Sequence, residues 1–599
     1  MFNILGILVA LMIASLSRGS GILVGWESLV AAGAGVLVAL AFSHGVASHL
    51  IDRFELAKHR LKLLQLNHEA HPEIDTSDLR RCLLADRELL LRRVPLFRHG
   101  VDALILAQFG AIAWVFGWSD FVADVLHVPP YLDILPALLP YFLMLAASWW
   151  GQYRIERKVR GADWRPMRFI GFQIRANGMT ILPIALIYAA FWGVTKYVPG
   201  LDDLRHSFLF LDIALQMGMV IGVSFFIPFA VRMILPGGPL PEGRLRRRLE
   251  AYARDNNLRV SQILVWRTGS RMFATAFVIG LIRPFRYVFI TDSLMRRMSE
   301  DEILAVFAHE MGHVRHRHLW WLLAFILSFT VVLLGLAHGM SMFVAGTNGE
   351  LIATGLLLLY GYHVFGYVSR RFERQADAFA ANTTSPELIS QVFVKLGMDN
   401  PAAMRKSGWR HFSLDRRVRE IVLARAHPEV KRMFNLELWR GLGLGIAVTL
   451  GAALLLIQPV REDVVTGLAT YSLTKFDRAR VSNAGDAKLD QLRSQTIERS
   501  RAMAQLSDEY EAVAFWYEGV VEGLSGEYPE GLDQLAALAE KRRESADSAA
   551  VREAGTRQMQ NVEATRIAIR KARENGTSFF DEYDAELLRR GLKATDSGD

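Results

Sequence analysis

The chain has 599 residues, 51% of them hydrophobic, with a positive mean hydropathy and a net charge of +8. Apolar runs of about twenty residues recur along it, which excludes an ordinary soluble enzyme and places the chain in a membrane. Its single cysteine, Cys82, excludes an internal disulfide and any zinc site held by several thiolates, and reads as a small buried side chain.

Residues 1–16 are apolar but short and lack a basic leader, so they read as a first span rather than a signal peptide. Residues 29–51 form a second candidate. Residues 52–98 are polar and carry ten Lys and Arg. A third span covers 101–118, followed by a segment to 130 with no Lys or Arg, and a fourth covers 131–150. Residues 151–178 then carry seven basic residues, and the fifth and sixth spans, 179–195 and 208–235, are joined by a loop holding only Lys196 and Arg205. This alternation puts the basic loops in the cytoplasm, and basic residues confined to such loops report topology rather than nucleic-acid binding. Asp102, Asp133, Asp212, Gln216 and His363 interrupt apolar stretches. They could line a watery intramembrane cavity, although hydrogen bonding between helices is the plainer reading of each.

Residues 236–243, rich in Gly and Pro, read as a linker, and 244–255 as a basic helix. Residues 260–266, 273–279 and 287–290 are β-branched and aromatic runs, so a small sheet is expected. An edge strand of such a sheet could pair with an extended peptide through main-chain hydrogen bonds.

Residues 299–313 follow. Ser299 can cap a helix whose first turn holds Glu300, Asp301 and Glu302, and the helix leads into His309-Glu310-Met311-Gly312-His313. At 3.6 residues per turn His309 and His313 share a face and could ligate one metal ion. Glu310 lies one position round, too far to chelate but placed to take a proton from water, which is the H-E-x-x-H zinc-protease arrangement. Arg315, His316, Arg317 and His318 then form a basic turn before a seventh span, 319–344, and an eighth, 351–368. His316, His318 and His338 read as interfacial side chains rather than ligands. Glu373 and Asp377, again at i and i+4, could supply a third ligand and a partner for a ligand imidazole, or could be two acids among arginines on a solvated face.

These residues resemble a family. The segment 271–277, the run from Leu294 to His313, the stretch Glu373-Arg-Gln-Ala-Asp377 and the segment 411–417 are similar, in that order, to motifs of the CAAX prenyl protease and HtpX-type membrane zinc metallopeptidases. The resemblance covers residues 240–425. It implies one zinc ion per chain on His309, His313 and Glu373, with Glu310 as general base, Asp377 orienting a ligand imidazole and His411 donating to an oxyanion. It also implies that Arg417 contacts substrate or supports the site. Two positions depart from the family pattern: Phe412 replaces a proline, and Thr275 stands where an asparagine contacting substrate is expected.

A ninth span covers 438–457, ended by Pro459. Residues 461–599 carry 20 basic and 26 acidic residues and look helical, and 515–532 resembles one tetratricopeptide-type hairpin. The expected fold is a mostly α, polytopic membrane protein of about nine transmembrane helices with a cytoplasm-facing, zincin-like α+β catalytic domain and a helical soluble C-terminal domain. The expected parts are an N-terminal transmembrane domain (1–235), a metallopeptidase domain (236–437) including spans 319–344 and 351–368, a last span (438–457) and a helical extracytoplasmic domain (458–599). The expected function is zinc-dependent endoproteolysis of membrane-associated or misfolded membrane proteins in a bacterial inner membrane. Partners would be protein or peptide substrates, the bilayer, and a protein or second copy on the C-terminal domain. Two alternatives are an inactive membrane scaffold or chaperone and CAAX-type processing of lipidated peptides. A transporter with a chance motif would show two matching halves, which the soluble insertion between spans six and seven does not fit.

Overall fold

The computed structural model describes residues 4–17, 19, 21–23, 25–70, 77–128, 134–159, 162, 165–268, 274–341, 347–399, 404–506, 508–544 and 549–590. The readings placed on Asp133, on residues 271–273 and on the Cys82 side chain lie outside the described residues. The chain is mostly helical, with one small sheet. It divides into two units, one of Met1–Trp192, Met219–Phe329 and Leu358–Ile446, the other of Gly193–Gly218, Thr330–Leu357 and Ala447–Asp599.

Among the described residues five helices are long and apolar enough to cross a bilayer: Trp26–Glu69, Leu96–Trp114, Leu209–Ile234, His318–Ser341 and Glu429–Leu455. A bent pair, Pro166–Met179 and Ile181–Tyr197, would make a sixth. The bend follows from Pro183, which cannot bond the carbonyl of Met179 one turn back and whose ring crowds it. The remaining stretches of the expected nine differ for local reasons. Ile4–Leu16 is only 13 residues, Leu139–Lys158 ends in charged residues, and the helix Thr347–Tyr360 gives way to a π-helical turn, Gly361–Phe365. Nor is the basic segment 52–98 a loop: Trp26–Ala70 and Ser77–Trp114 run through most of it as two long helices.

In the first unit the N-terminal helices pack on one another around Phe109, Phe121, Tyr141 and Met144. Their crossing needs a small residue. A Cβ on Gly151 would lie 2.5 Å from the Ser43 carbonyl oxygen, and at that crossing Ser43 Oγ donates to the Ser148 carbonyl at 2.9 Å. The same unit holds a four-stranded sheet of β1 (Gly237–Pro239), β2 (Gln262–Trp266), β3 (Ala276–Ile279) and β4 (Tyr287–Thr291) in the order β1-β2-β4-β3. β2 and β4 are parallel, and β1 and β3 are antiparallel to their neighbours. The breaker-rich linker therefore contributes a strand, which sequence reading did not foresee. β3 is an edge. Thr275 O accepts from Thr291 N at 3.0 Å, so odd-numbered residues turn their main-chain groups to β4 while Ala276 and Val278 turn theirs outward.

In the second unit six helices follow in chain order, Ile457–Val481, Asp486–Ala504, Asp508–Ser525, Glu530–Glu544, Ala549–Asn575 and Phe579–Arg589, each packed on the next. Pro459 does not end the last apolar helix. It lies in the first turn of Ile457–Val481, where a missing N–H costs nothing. Trp516, Phe579 and Tyr583 form an aromatic cluster, and Asp477 closes it by accepting from Phe579 N at 2.8 Å.

Candidate metal centre

The helix Glu300–Arg315 starts at a full capping box. Ser299 Oγ accepts from Glu302 N at 3.3 Å, and Glu302 Oε2 accepts from Ser299 N at 2.7 Å. Ile303, Phe307 and Met311 fall at i+4 steps on its buried face, against Tyr252, Ile389 and Val392. That burial fixes the rotation of the helix and so the direction of His309 and His313. The helix Gly366–Thr383 crosses it closely at Gly312, where a Cβ would sit 2.8 Å from Ala376 Cα. The glycine inside the motif thus lets the two helices approach until their polar side chains meet.

Three ligand-type groups converge there. The ligand atoms of His309, His313 and Glu373 all lie within 4.8 Å of one another. His309 Nε2 and His313 Nε2 are 3.3 Å apart, and each is 3.6 Å from a Glu373 carboxylate oxygen. Two imidazoles and a carboxylate at this spacing suit a tetrahedral metal with one position left open. Charge argues the same way. Glu310, Glu373 and Asp377 face one guanidinium, Arg417, so the site is short of two positive charges, as a divalent cation would supply. Without a metal the deficit falls on a proton. Burial disfavours a charged His309, yet Asp377 and Glu373 outweigh it and hold the imidazole up to about 10. Burial, with the charge on His309 beside it, outweighs the pull of Glu373 on His313, which is pushed down to about 3 and stays neutral, the form that ligates. Burial opposes the Glu373 charge as well, but His309 and His411 hold its carboxyl well below the usual range.

Around these three groups the partners are ordered. Asp377, 2% exposed, places Oδ1 2.9 Å from His309 Nδ1, a close ionic contact off the line of the ring N–H. Asp377 is itself gripped by Arg417, whose Nε and Nη2 donate at 2.7 and 2.6 Å. Arg417 reaches in from the helix Leu414–Ala426 and lies over Phe393, 4.1 Å from its centroid. His411 Nδ1 is 3.1 Å from Glu373 Oε2. Its loop is pinned by Trp409 Nε1, which donates to the Tyr362 carbonyl in the π-helical turn at 2.7 Å. Phe412, in place of a proline, is buried beneath the guanidinium of Arg416, 3.9 Å from its ring.

Glu310 accepts from the outward N–H of Val278 on β3 at 3.1 Å, and burial raises its carboxyl to about 7. A cavity of about 340 Å³ separates the edge strand from the ligand group, lined among others by Val278, Glu310, Glu373, Phe393, His411 and Arg417. Thr275 also lines it, its Oγ1 donating to the Ala276 carbonyl at 3.2 Å. Seven of the eight residues singled out in the sequence therefore line one cavity, with His411 turned to Glu373, and the eighth, Asp377, lies behind it against Arg417 and His309.

Sequence reasoning missed His318. It is 1% exposed, stacked on Phe372 with centroids 4.2 Å apart, and it joins His313 Nδ1 (2.9 Å) to Gln375 Oε1 (2.9 Å). With Gln375 Oε1 as acceptor, His318 carries its proton on Nε2 and its Nδ1 accepts from His313 Nδ1–H. That leaves His313 Nε2 bare towards Glu373. Such relays fix a ligand's tautomer and orientation. His318→Phe keeps the stacking and removes the relay, and it is expected to weaken zinc binding about 10- to 100-fold in a competition titration with a chelating dye. Unchanged affinity would show that His318 only fills space.

Residues 239–440 match the model of Peptidase family M48. The chain is 28% identical over 239 residues to "Protease HtpX homolog" of Aeropyrum pernix, covering 37% of this chain and 73% of that protein. It is 26% identical over 336 residues to "CAAX prenyl protease 1 homolog" of Arabidopsis thaliana, covering 51% of this chain and 76% of the relative. Among solved structures it resembles the crystal structure of S. mikatae Ste24p at TM-score 0.42 and 20% identity, over 64% of this chain and 98% of that one.

Proposed function

We propose, from the match of residues 239–440 to the model of Peptidase family M48, that the chain is a membrane-embedded zinc metalloendopeptidase. The observation that carries the proposal is the convergence of His309, His313 and Glu373 beside Glu310 and an open strand edge. His309 and His313, through Nε2, and Glu373, through its carboxylate, would hold the metal. Imidazole and carboxylate donors without thiolate suit Zn2+, which when bound acts as a Lewis acid on a carbonyl and acidifies water.

The chain's own residues do the rest. An extended peptide pairs with the outward main-chain groups of Ala276 and Val278, which lays its scissile carbonyl across the ligand group. Glu310, freed from Val278 N–H by that pairing, takes the proton of the attacking water and returns it to the leaving amine. Asp377, held by Arg417, keeps His309 Nε2 aimed inward. His411, half-exposed at the cavity rim, can turn from Glu373 to donate to the oxyanion.

We place the site on the cytoplasmic side of a bacterial inner membrane, which the basic segments 52–98 and 151–178 support, and the C-terminal helical domain outside. The substrates proposed are misfolded or membrane-associated proteins. The Arabidopsis relative's name favours a second reading, cleavage of lipidated C-terminal peptides. One experiment separates them: the full chain, reconstituted in vesicles, is offered a destabilised membrane protein and a prenylated peptide, with and without a chelator. Chelator-sensitive cleavage of the membrane protein, restored by zinc, is expected. Cleavage of the prenylated peptide alone favours the second reading, and cleavage that ignores the chelator overturns the metal mechanism.

A further inference from the structure

A second cavity, of about 270 Å³, is bordered by His313 and by Gly280 and Leu281, which follow β3. Four arginines line it: Arg259, Arg286, Arg315 and Arg317. Among the described residues none of the four pairs with a carboxylate. Elsewhere in this unit arginines find acids readily, as Arg374 does with Glu420 and Glu437, and Arg248 with Glu300 and Asp301. Four cations gathered round one space without a counter-charge repel one another, so the fold holds them there against electrostatic cost.

The local structure shows how. Arg286 is bound only to carbonyls: Nη2 donates to Leu281 O at 2.8 Å, Nη1 to Arg259 O at 3.1 Å and Nε to Gly280 O at 3.4 Å. Those bonds fix its guanidinium but cancel none of its charge, and burial alone pushes its pKa down. Arg317 adopts a left-handed backbone, φ +56°, between the helices Glu300–Arg315 and His318–Ser341. An arginine pays for that conformation, which asparagine or glycine adopts freely. Asn257, also lining the cavity, has φ +56° too.

The wall on the other side is apolar. Leu319 and Trp320 line it and open the helix His318–Ser341, the most apolar of the spans. Trp320 is 41% exposed and meets Phe225 edge-on at 6.1 Å, beside the exposed Phe226 and Phe229. Cations at the mouth of an apolar helix with a tryptophan at the same level are the chemistry of a lipid headgroup contact. We propose that this cavity binds the phosphate group of an anionic phospholipid, with the acyl chains lying on the apolar face that Leu319, Trp320 and Phe225 begin. A free anion would satisfy the arginines but leaves the aromatic, lipid-facing wall without a role.

The test uses the full chain purified in detergent and exchanged into phosphatidylcholine with and without phosphatidylglycerol, with bound lipid counted by native mass spectrometry. Wild type is expected to retain phosphatidylglycerol over phosphatidylcholine, less so as salt rises. Arg315→Gln with Arg317→Gln should lower its apparent affinity roughly tenfold or more, and the double lysine variant should recover most of it. Should the double variant misfold, Arg259→Gln, on an exposed side chain, asks the same question. Equal retention in wild type and a folded variant, or no preference over phosphatidylcholine, overturns the proposal. Full displacement by millimolar inorganic phosphate assigns the cavity to free anions and overturns the lipid. None of these readouts depends on proteolysis.

Discussion

Glu310→Gln is expected to reduce cleavage by about 10³-fold while leaving metal content and fold unchanged. The amide is isosteric and can still accept from Val278 N–H, so the strand stays where it is. It cannot take a proton from water. Stability gives an independent check. Glu310 is buried and its carboxyl is raised to about 7, so in the metal-free protein its folded form holds a proton that the unfolded chain has released. The stability it contributes is present below about pH 4.5 and is lost as pH rises through about 7. Above that pH the buried charge is a cost, and Glu310→Gln removes it. The metal-free variant should therefore melt at or above the metal-free wild type at alkaline pH. Cleavage retained within tenfold would remove Glu310 from the chemistry.

Glu373→Ala is expected to empty the site. It deletes one of three ligands, so zinc affinity should fall by well over about 100-fold, beyond the loss typical of a supporting residue. The fold should survive, because Asp377 keeps its two bonds to Arg417 and the helix crossing at Gly312 does not involve Glu373. His309 loses one of the two carboxylates that raise its pKa, and the remaining partner, Asp377, is the one its Nδ1 faces. Circular dichroism and elution volume check the fold, and equilibrium dialysis against zinc checks affinity. Full occupancy would mean that another group, Glu310 or His411, supplies the third ligand.

The helix spacing of His309 and His313 was legible because period and side-chain chemistry coincide within five residues, and Ser299 announced where the helix starts. Glu373 was harder: sixty residues away, it stood out only through the acid pair it forms with Asp377 and through the family resemblance. His318 was illegible because its place depends on a backbone event. Arg317 turns left-handed between two helices, and a histidine that reads as interfacial comes to lie against a ligand. The long helices through 52–98 were missed because charge density reads as loop, whereas Lys, Arg, Leu and Glu all favour helix. β1 was missed because Gly and Pro read as breakers. Gly237 is there because its backbone presses on Val265 O, where any Cβ would collide.

The proposed chemistry needs one metal ion on His309, His313 and Glu373, and the direct measurement is metal per chain by elemental analysis. Wild type, Glu310→Gln and Glu373→Ala would be purified side by side without chelator. One zinc in wild type, kept in Glu310→Gln and lost from a folded Glu373→Ala, is the predicted result. Wild type free of metal, and unable to take up zinc on dialysis, would contradict it.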